Sequence, residues 1–412
     1  MNEAHEFGVV VLLVSTGFAL AVASSRLSER LRVPGPALFL LAAALLSDAF
    51  PALGDISTLT VERIAAAALV VILFDGGTRI GMAKLRTAVV PVLTLGVVGT
   101  FATAGLLTLA AHWLLGFSWT FAGLIGAALS PTDPAVMFSV LGRHEVSGRT
   151  GTILEAESGA NDPVGIALMI GMIEFATSGN GTLWAVVREF ALEMSIGLVV
   201  GVAGSYALLF ALRRFTLGDP SLYPLRTLAS AGIVFGAASV LHGSGFLAVF
   251  VLGILVGDEP AHHKEDVERF FTSLASLAEI VVFVALGLTI EITSLPGVVW
   301  RDGAVLVLVL ALVARPLAVG ALLLPIRLRI GERLFVIWGG LKGAVPIFLA
   351  ALAVLAEVDG AQRLYGIVFV VVLFSVVVQG STIPFAASLC RVPMRDTRKP
   401  QADAGRNVRS RA

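Results

Sequence analysis

Apolar runs recur along the whole chain, separated by short polar links in which arginine and lysine are common. A helix needs about 20 apolar residues to cross the ~30 Å hydrocarbon layer of a bilayer. On that measure the pattern predicts thirteen spans. They lie at residues 7–25, 36–50, 61–78, 89–115, 119–141, 151–176, 184–212, 226–241, 245–257, 271–290, 303–325, 332–356 and 362–387. The second and ninth are short for a bilayer, and only the link 242–245 separates the eighth from the ninth. The first run follows MNEAHEFG, which lacks a basic region and a small-residue cleavage site, so it reads as a retained helix.

The cationic residues test this count. The links after the first, third, fifth, seventh, ninth and eleventh spans, with the C-terminal segment, hold 23 of the 29 lysines and arginines. The opposite side holds only Arg63, Arg188, Arg301 and Arg363, while Arg315 and Lys342 fall inside spans. One helix more or fewer would scramble this alternation. The expectation is therefore a multi-pass protein of the cytoplasmic (inner) membrane, with its N-terminus outside and its C-terminus cytoplasmic.

Composition agrees and narrows the choices. Of the 412 residues 57% are hydrophobic and only 14% charged. Residues 1–390 read as one transmembrane domain, and 391–412 as a short, basic, disordered cytoplasmic tail near the anionic inner leaflet. The single cysteine, Cys390, excludes an intrachain disulfide and a thiolate metal cluster. With no dinucleotide fingerprint, P-loop or ATPase motif, no nucleotide, nucleic acid or cofactor is expected, and transport would be driven by gradients.

The polar positions inside the spans carry the chemistry. Residues 129–166 place Asp133, Glu155, Glu157, Asn161 and Asp162 within apolar segments. A helix-centre Asp costs about 2.5–3.5 kcal/mol on insertion scales, and such groups usually mark an ion or proton path. Pro131 and Pro134 flank Asp133 and break the fifth span at its carboxylate. Irregular backbone at membrane depth survives only where protein or a water-filled cavity covers it. The twelfth span is interrupted too, at GGLKGAVP (339–346), around the opposite charge of Lys342. With six spans, a linker and six more, these two breaks occupy equivalent positions, the pattern that points to a midplane site in inverted-repeat transporters.

On the sixth span Glu157 and Asn161 are i,i+4 neighbours, as are Ser158 and Asp162, so the four make one polar strip that Thr132 and Asp133 can face. Hard monovalent cations take oxygen ligands. A carboxylate removed from water also holds its proton more tightly, so a cation and a proton can compete for one site. Two structural readings stand beside this: a hydrogen-bonded carboxylate for Asp162 and a helix N-cap for Asp133. Arg315 needs a carboxylate at membrane depth, and Glu157 is the one otherwise unclaimed. Lys342 reads as neutralising the end carbonyls of its own broken twelfth span, or as a second titrating group. Asp75 reads as a helix-end cap, Glu155 as lining an entrance, Glu279 as interfacial or facing a cavity, and His262 and His263 as solvated or pH-sensing. Trp113, Trp119 and Trp300 sit where interfacial anchors would.

SPTDPAV (130–136), ESGANDPVGIAL (157–168), ARP (314–316) and GGLKGAVPIFLA (339–350) together resemble the bacterial NhaP-type sodium(potassium)/proton exchangers of the cation:proton antiporter superfamily. The likeness runs in the family's order to residues 379–381. It implies an all-α membrane fold of thirteen helices, in inverted six-helix repeats whose discontinuous fifth and twelfth helices cross near the midplane. It also implies a homodimer, core and dimerisation subdomains interleaved in sequence, and alternating access. The resemblance makes Asp162 the cation and proton carrier, and Asp133, Thr132, Ser158 and Asn161 its companions, with Na⁺ or K⁺ on Asp162, Asp133 and Ser158. It makes Glu157 and Arg315 a buried ion pair, and its Asn-Asp pair resembles the electroneutral branch. Lys342 departs from the family's usual Arg. Two alternatives come from other classes. A cation channel or channel-like sensor would need a filter or voltage sensor, and neither motif is present; an intramembrane aspartyl protease using Asp133 and Asp162 would need a GxGD signature, also absent.

Overall fold

The computed structural model describes residues 34–50, 56–141, 144–178, 183–259 and 263–396. The first expected span, the cations Arg26, Arg30, Arg32 and Arg143, His262, and residues 397–412 of the expected tail lie outside the described residues. Each expected span from the second onward falls on a helix or a broken helix. In chain order they are α1 (Gly35–Ala49), α2 (Thr58–Leu93), α3 (Thr100–Leu115), α4 (Trp119–Leu129), α5 (Pro134–Leu141), α6 (Gly148–Thr177), α7 (Leu183–Arg214) and α8 (Leu222–Val240). Then follow α9 (Gly245–Gly257), α10 (Lys264–Leu288), α11 (Gly297–Val309), α12 (Arg315–Leu322), α13 (Ile330–Trp338), α14 (Ala344–Leu355), α15 (Ala361–Phe374) and α16 (Gly380–Leu389).

Local chemistry sets many of these boundaries. Ser57, Ser118 and Ser244 cap α2, α4 and α9, each accepting a hydrogen bond from the backbone N–H three residues on. Gly81, at φ 63°, breaks α2 in a conformation that residues with a Cβ rarely adopt, and so turns the third span into the fourth. Among the described residues five helical stretches are long and apolar enough to cross a membrane: Val89–Leu115, Val186–Arg214, Lys264–Leu288, Gly297–Leu322 and Ala361–Leu389.

The two short spans have different explanations. α9 is enclosed by protein: most of its residues are buried, and it packs on α2, α7 and α8. At Gly253 and Gly257 its backbone lies directly against Phe74 and Thr78 of α2, with no room for a Cβ. α1 exposes Leu45 and Leu46, and Phe50 just after it is exposed too, as on a peripheral helix. The helices fall into two groups, α1, α2 and α7–α10 in one and α3–α6 and α11–α16 in the other, with α6 touching α2, α7 and α9, α14 touching α2 and α10, and α5 touching α1 across the seam.

Among the described residues three spans are rewound by π-helical turns, at Thr94–Gly99, Leu310–Ala314 and Ser375–Gln379. The first two lie in the fourth and eleventh spans, which the six-plus-six count makes equivalent, as it does the two broken spans. The start of the expected tail is not structureless. Met394–Asp396 (β2) pairs antiparallel with His144–Val146 (β1) in a two-stranded ribbon. Its edge is extended by Ser147, whose backbone N–H donates to the Pro393 carbonyl at 2.9 Å.

Candidate ion-binding crossing

The two breaks meet. α4 stops at Leu129 because Pro131 cannot donate into a helical ladder, and α5 restarts at Pro134, whose fixed φ suits a first helical position. Between them the backbone N–H of Asp133 donates to the Leu341 carbonyl at 2.8 Å, joining the break of the fifth span to that of the twelfth. Gly340 and Gly343 make the approach possible: a Cβ at Gly340 would strike the Arg315 guanidinium, and one at Gly343 the Asp133 carboxylate.

Each break exposes carbonyls at one helix end, and buried cations cover them. Lys342 Nζ donates to the carbonyls of Ser130 (3.0 Å) and Pro131 (2.7 Å), so it serves the fifth span. This corrects the expectation that Lys342 neutralises its own helix. The carbonyls of the twelfth span are met instead by Arg315, which donates to Val336 at 3.1 Å and Ile337 at 3.4 Å. Lys342 reaches from the break of the twelfth span to the helix end of the fifth, and Arg315 reaches the helix end of the twelfth from α12 in the eleventh span. Arg315 also donates to Glu157 Oε1 at 2.6 Å, with both side chains only 3% exposed, and this pair ties α6 to α12.

Two residues at this crossing were missed by sequence reading. Gln379 Nε2 donates to the Trp338 carbonyl at 2.6 Å, and the Lys342 backbone N–H donates to Ser375 Oγ at 2.9 Å. Ser375 Oγ in turn donates to Gln379 Oε1 at 3.2 Å. The π-helical turn of the thirteenth span therefore grips both edges of the twelfth's break. Their signal was an i,i+4 polar pair inside the apolar run LFSVVVQG.

The strip on α6 divides. Asn161 and Thr132 bond reciprocally, Asn161 Nδ2 to Thr132 Oγ1 at 2.7 Å and the Thr132 N–H to Asn161 Oδ1 at 3.3 Å. Ser158 Oγ donates to the Thr132 carbonyl at 2.5 Å. Asn161 and Ser158 thus hold the extended strand onto α6. Asp162 is different: it is 7% exposed, and its sealed Oδ1 has no hydrogen-bond partner among the described residues. Asp133 and Lys342 are both within its electrostatic reach.

Among the described residues no three His, Cys, Asp or Glu side chains group as a resident metal would need. A passing monovalent cation asks less. The carboxylates of Asp162 and Asp133, with the oxygens of Thr132 and Ser158, are a hard-donor set of the kind such ions take.

The outlying residues separate clearly. Glu155 lies half-exposed on α6, 3.6 Å from Lys84 Nζ. Asp75 is not a helix-end cap: it sits within α2, where Arg79 donates to it at 2.7 Å and Thr272 of α10 at 3.4 Å. His263 pairs with Asp266 at the start of α10. Trp113 and Trp119 are exposed, and Trp119 stacks on His112.

A family model described as "Sodium/hydrogen exchanger, transmembrane" matches residues 16–389. The chain belongs to the sodium/hydrogen exchanger family. This is a family of transporters. The chain is 32% identical to the K(+)/H(+) antiporter NhaP2 of Shewanella sp. (strain MR-4), over 94% of its own length and 68% of the relative's. It is 28% identical to the Na(+)/H(+) antiporter NhaH of Halobacillus dabanensis, over 93% and 98%. Its fold matches that of the sodium proton antiporter MjNhaP1 from Methanocaldococcus jannaschii, with a TM-score of 0.78, 21% identity, and coverage of 93% and 99%.

Proposed function

We propose that this family member is a secondary-active antiporter in which a monovalent cation and a proton take turns on Asp162. The observation that carries the reading is the unpartnered, sealed Asp162 oxygen at the crossing. A buried carboxylate without a partner is costly unless a proton or an ion occupies it. Charge supports the same stoichiometry. Asp133, Glu157 and Asp162 face Arg315 and Lys342, leaving one negative charge in excess, which one Na⁺ or K⁺, or one H⁺, offsets. Exchange is then one for one and electroneutral.

The access change is a movement of the group holding α3–α6 and α11–α16 against the other, which acts as the dimerisation surface of a homodimer. Asn161 and Ser158 keep the extended strand moving with α6. The chain lies in the inner membrane with its basic links cytoplasmic. The relatives' names carry both K⁺ and Na⁺, and the discriminating fit is at the ångström scale.

The test is cation-induced pH recovery in inside-out vesicles, scanned over Na⁺, K⁺ and Li⁺, with Asp162→Asn beside wild type. Recovery in wild type and its loss in Asp162→Asn is expected. Normal exchange by the variant would overturn the competition mechanism.

A further inference from the structure

The break in α2 divides the chain between the two helix groups. Before it the backbone lies on α9: a Cβ at Gly77 would strike the Phe250 carbonyl, and one at Gly257 the backbone of Thr78. After it the chain runs through the π-helical turn Thr94–Gly99 into α3, and a Cβ at Gly96 would strike Ala160 of α6. A covalent link between the groups thus passes through Gly81, at φ 63°. Arg79, Lys84 and Arg86 make this link cytoplasmic by the positive-inside rule.

An unbroken helix would join the Ala83 N–H to the Arg79 carbonyl, four residues back. The break parts them, and each meets a side chain instead. The Ala83 N–H donates to Asp258 Oδ2, at the end of α9. The Arg79 carbonyl accepts from Lys84 Nζ at 2.9 Å, and the same Nζ lies 3.6 Å from Glu155 of α6. Gly81 is fitted to this arrangement, since a Cβ there would strike the Asp258 carboxylate. The first turn beyond the break is therefore held on one group by Asp258, and one residue later it reaches the other group through Lys84.

We infer that Gly81 is the cytoplasmic pivot of the access change and that Asp258 is the positioning residue that fixes it, by holding the Ala83 N–H. This rests on the antiport reading and names a point about which its two helix groups turn. Asp258 acts through backbone and is not an ion ligand. A helix end whose open N–H is held turns as a rigid body; without its acceptor the first turn frays and must be ordered again in each cycle. That cost falls on the conformational step, the kind of step that limits many turnover rates. It is the same whichever cation is carried.

The experiment measures exchange rate against Na⁺, K⁺ and Li⁺ concentration in inside-out vesicles at one fixed pH, per mole of folded carrier, for wild type, Asp258→Ala, Asp258→Asn and Gly81→Ala. Asp258→Ala is expected to lower the maximal rate about fivefold, by one factor for every cation transported, with the half-saturating concentration within about twofold of wild type. Asp258→Asn, whose amide oxygen still accepts from Ala83, should keep most of the rate. Gly81→Ala should lose at least as much as Asp258→Ala, and if that chain does not fold the two Asp258 variants decide. A wild-type maximal rate in Asp258→Ala or Gly81→Ala overturns the pivot. So does a loss that differs between cations or appears in the half-saturating concentration, and so does an equal loss in Asp258→Asn; each leaves the exchange mechanism standing. A wild-type chain that exchanges none of the three cations overturns both.

Discussion

At the residue scale the crossing is a balance of buried charges in which each cation has two tasks. Arg315 closes carbonyls of the twelfth span and holds Glu157; Lys342 closes carbonyls of the fifth and lies within reach of Asp162. Removing Arg315 strands a carboxylate whose second oxygen already lacks a partner. Arg315→Met is therefore expected to cost about 3–5 kcal/mol. Thermal unfolding in detergent should show a clear drop in midpoint, and Glu157→Leu added to Arg315→Met should recover part of it. An unchanged midpoint in the single variant would mean that the pair does not hold α6 to α12. Lys342→Met leaves two carbonyls uncovered and a second excess negative charge, so vesicle exchange should fall sharply, while Lys342→Arg retains more of it.

At the element scale, close approach matters more than helix propensity. Gly253 lets α9 touch the backbone of α2, and a branched side chain there must push the two apart. Gly253→Val should lower stability by about 1–3 kcal/mol, the usual cost of overpacking, and would be read as a lower unfolding midpoint. The π-helical turn at Ser375–Gln379 is the second device. It sets an amide and a hydroxyl against the interrupted twelfth span. Gln379→Leu leaves the Trp338 carbonyl without its donor, an expected loss of about 1–3 kcal/mol on the same measurement. Wild-type stability in Gln379→Leu would show that water replaces the amide.

At the scale of the whole molecule, one-for-one exchange moves no net charge. Imposing a membrane potential on proteoliposomes should then leave the exchange rate unchanged. A rate that follows the potential would make Lys342 a second titrating group. The ribbon of β1 and β2 belongs to this scale as well, since it fastens the end of the thirteenth span to the link between the fifth and sixth. Nearby, Thr150 of α6 donates to Glu332 of α13 at 3.1 Å. Both ties lie within the group of helices that contains Asp162, and both stiffen it as a unit.

Hydrophobic runs, proline breaks and isolated charges are local properties, and they were enough to locate the spans from the second onward, both interruptions and the Asp162 strip. Arg315 and Glu157 could be paired from sequence because a lone guanidinium at membrane depth leaves few choices. The chain alone did not say which helix end each cation closes, because those carbonyls lie more than 200 residues from Lys342 and about 20 from Arg315, with nothing in the spacing to favour one. Ser375, Gln379 and the ribbon strands were hidden for the same reason. A helix end needs a partner for each open carbonyl, and only the way the two breaks cross decides which side chain arrives there.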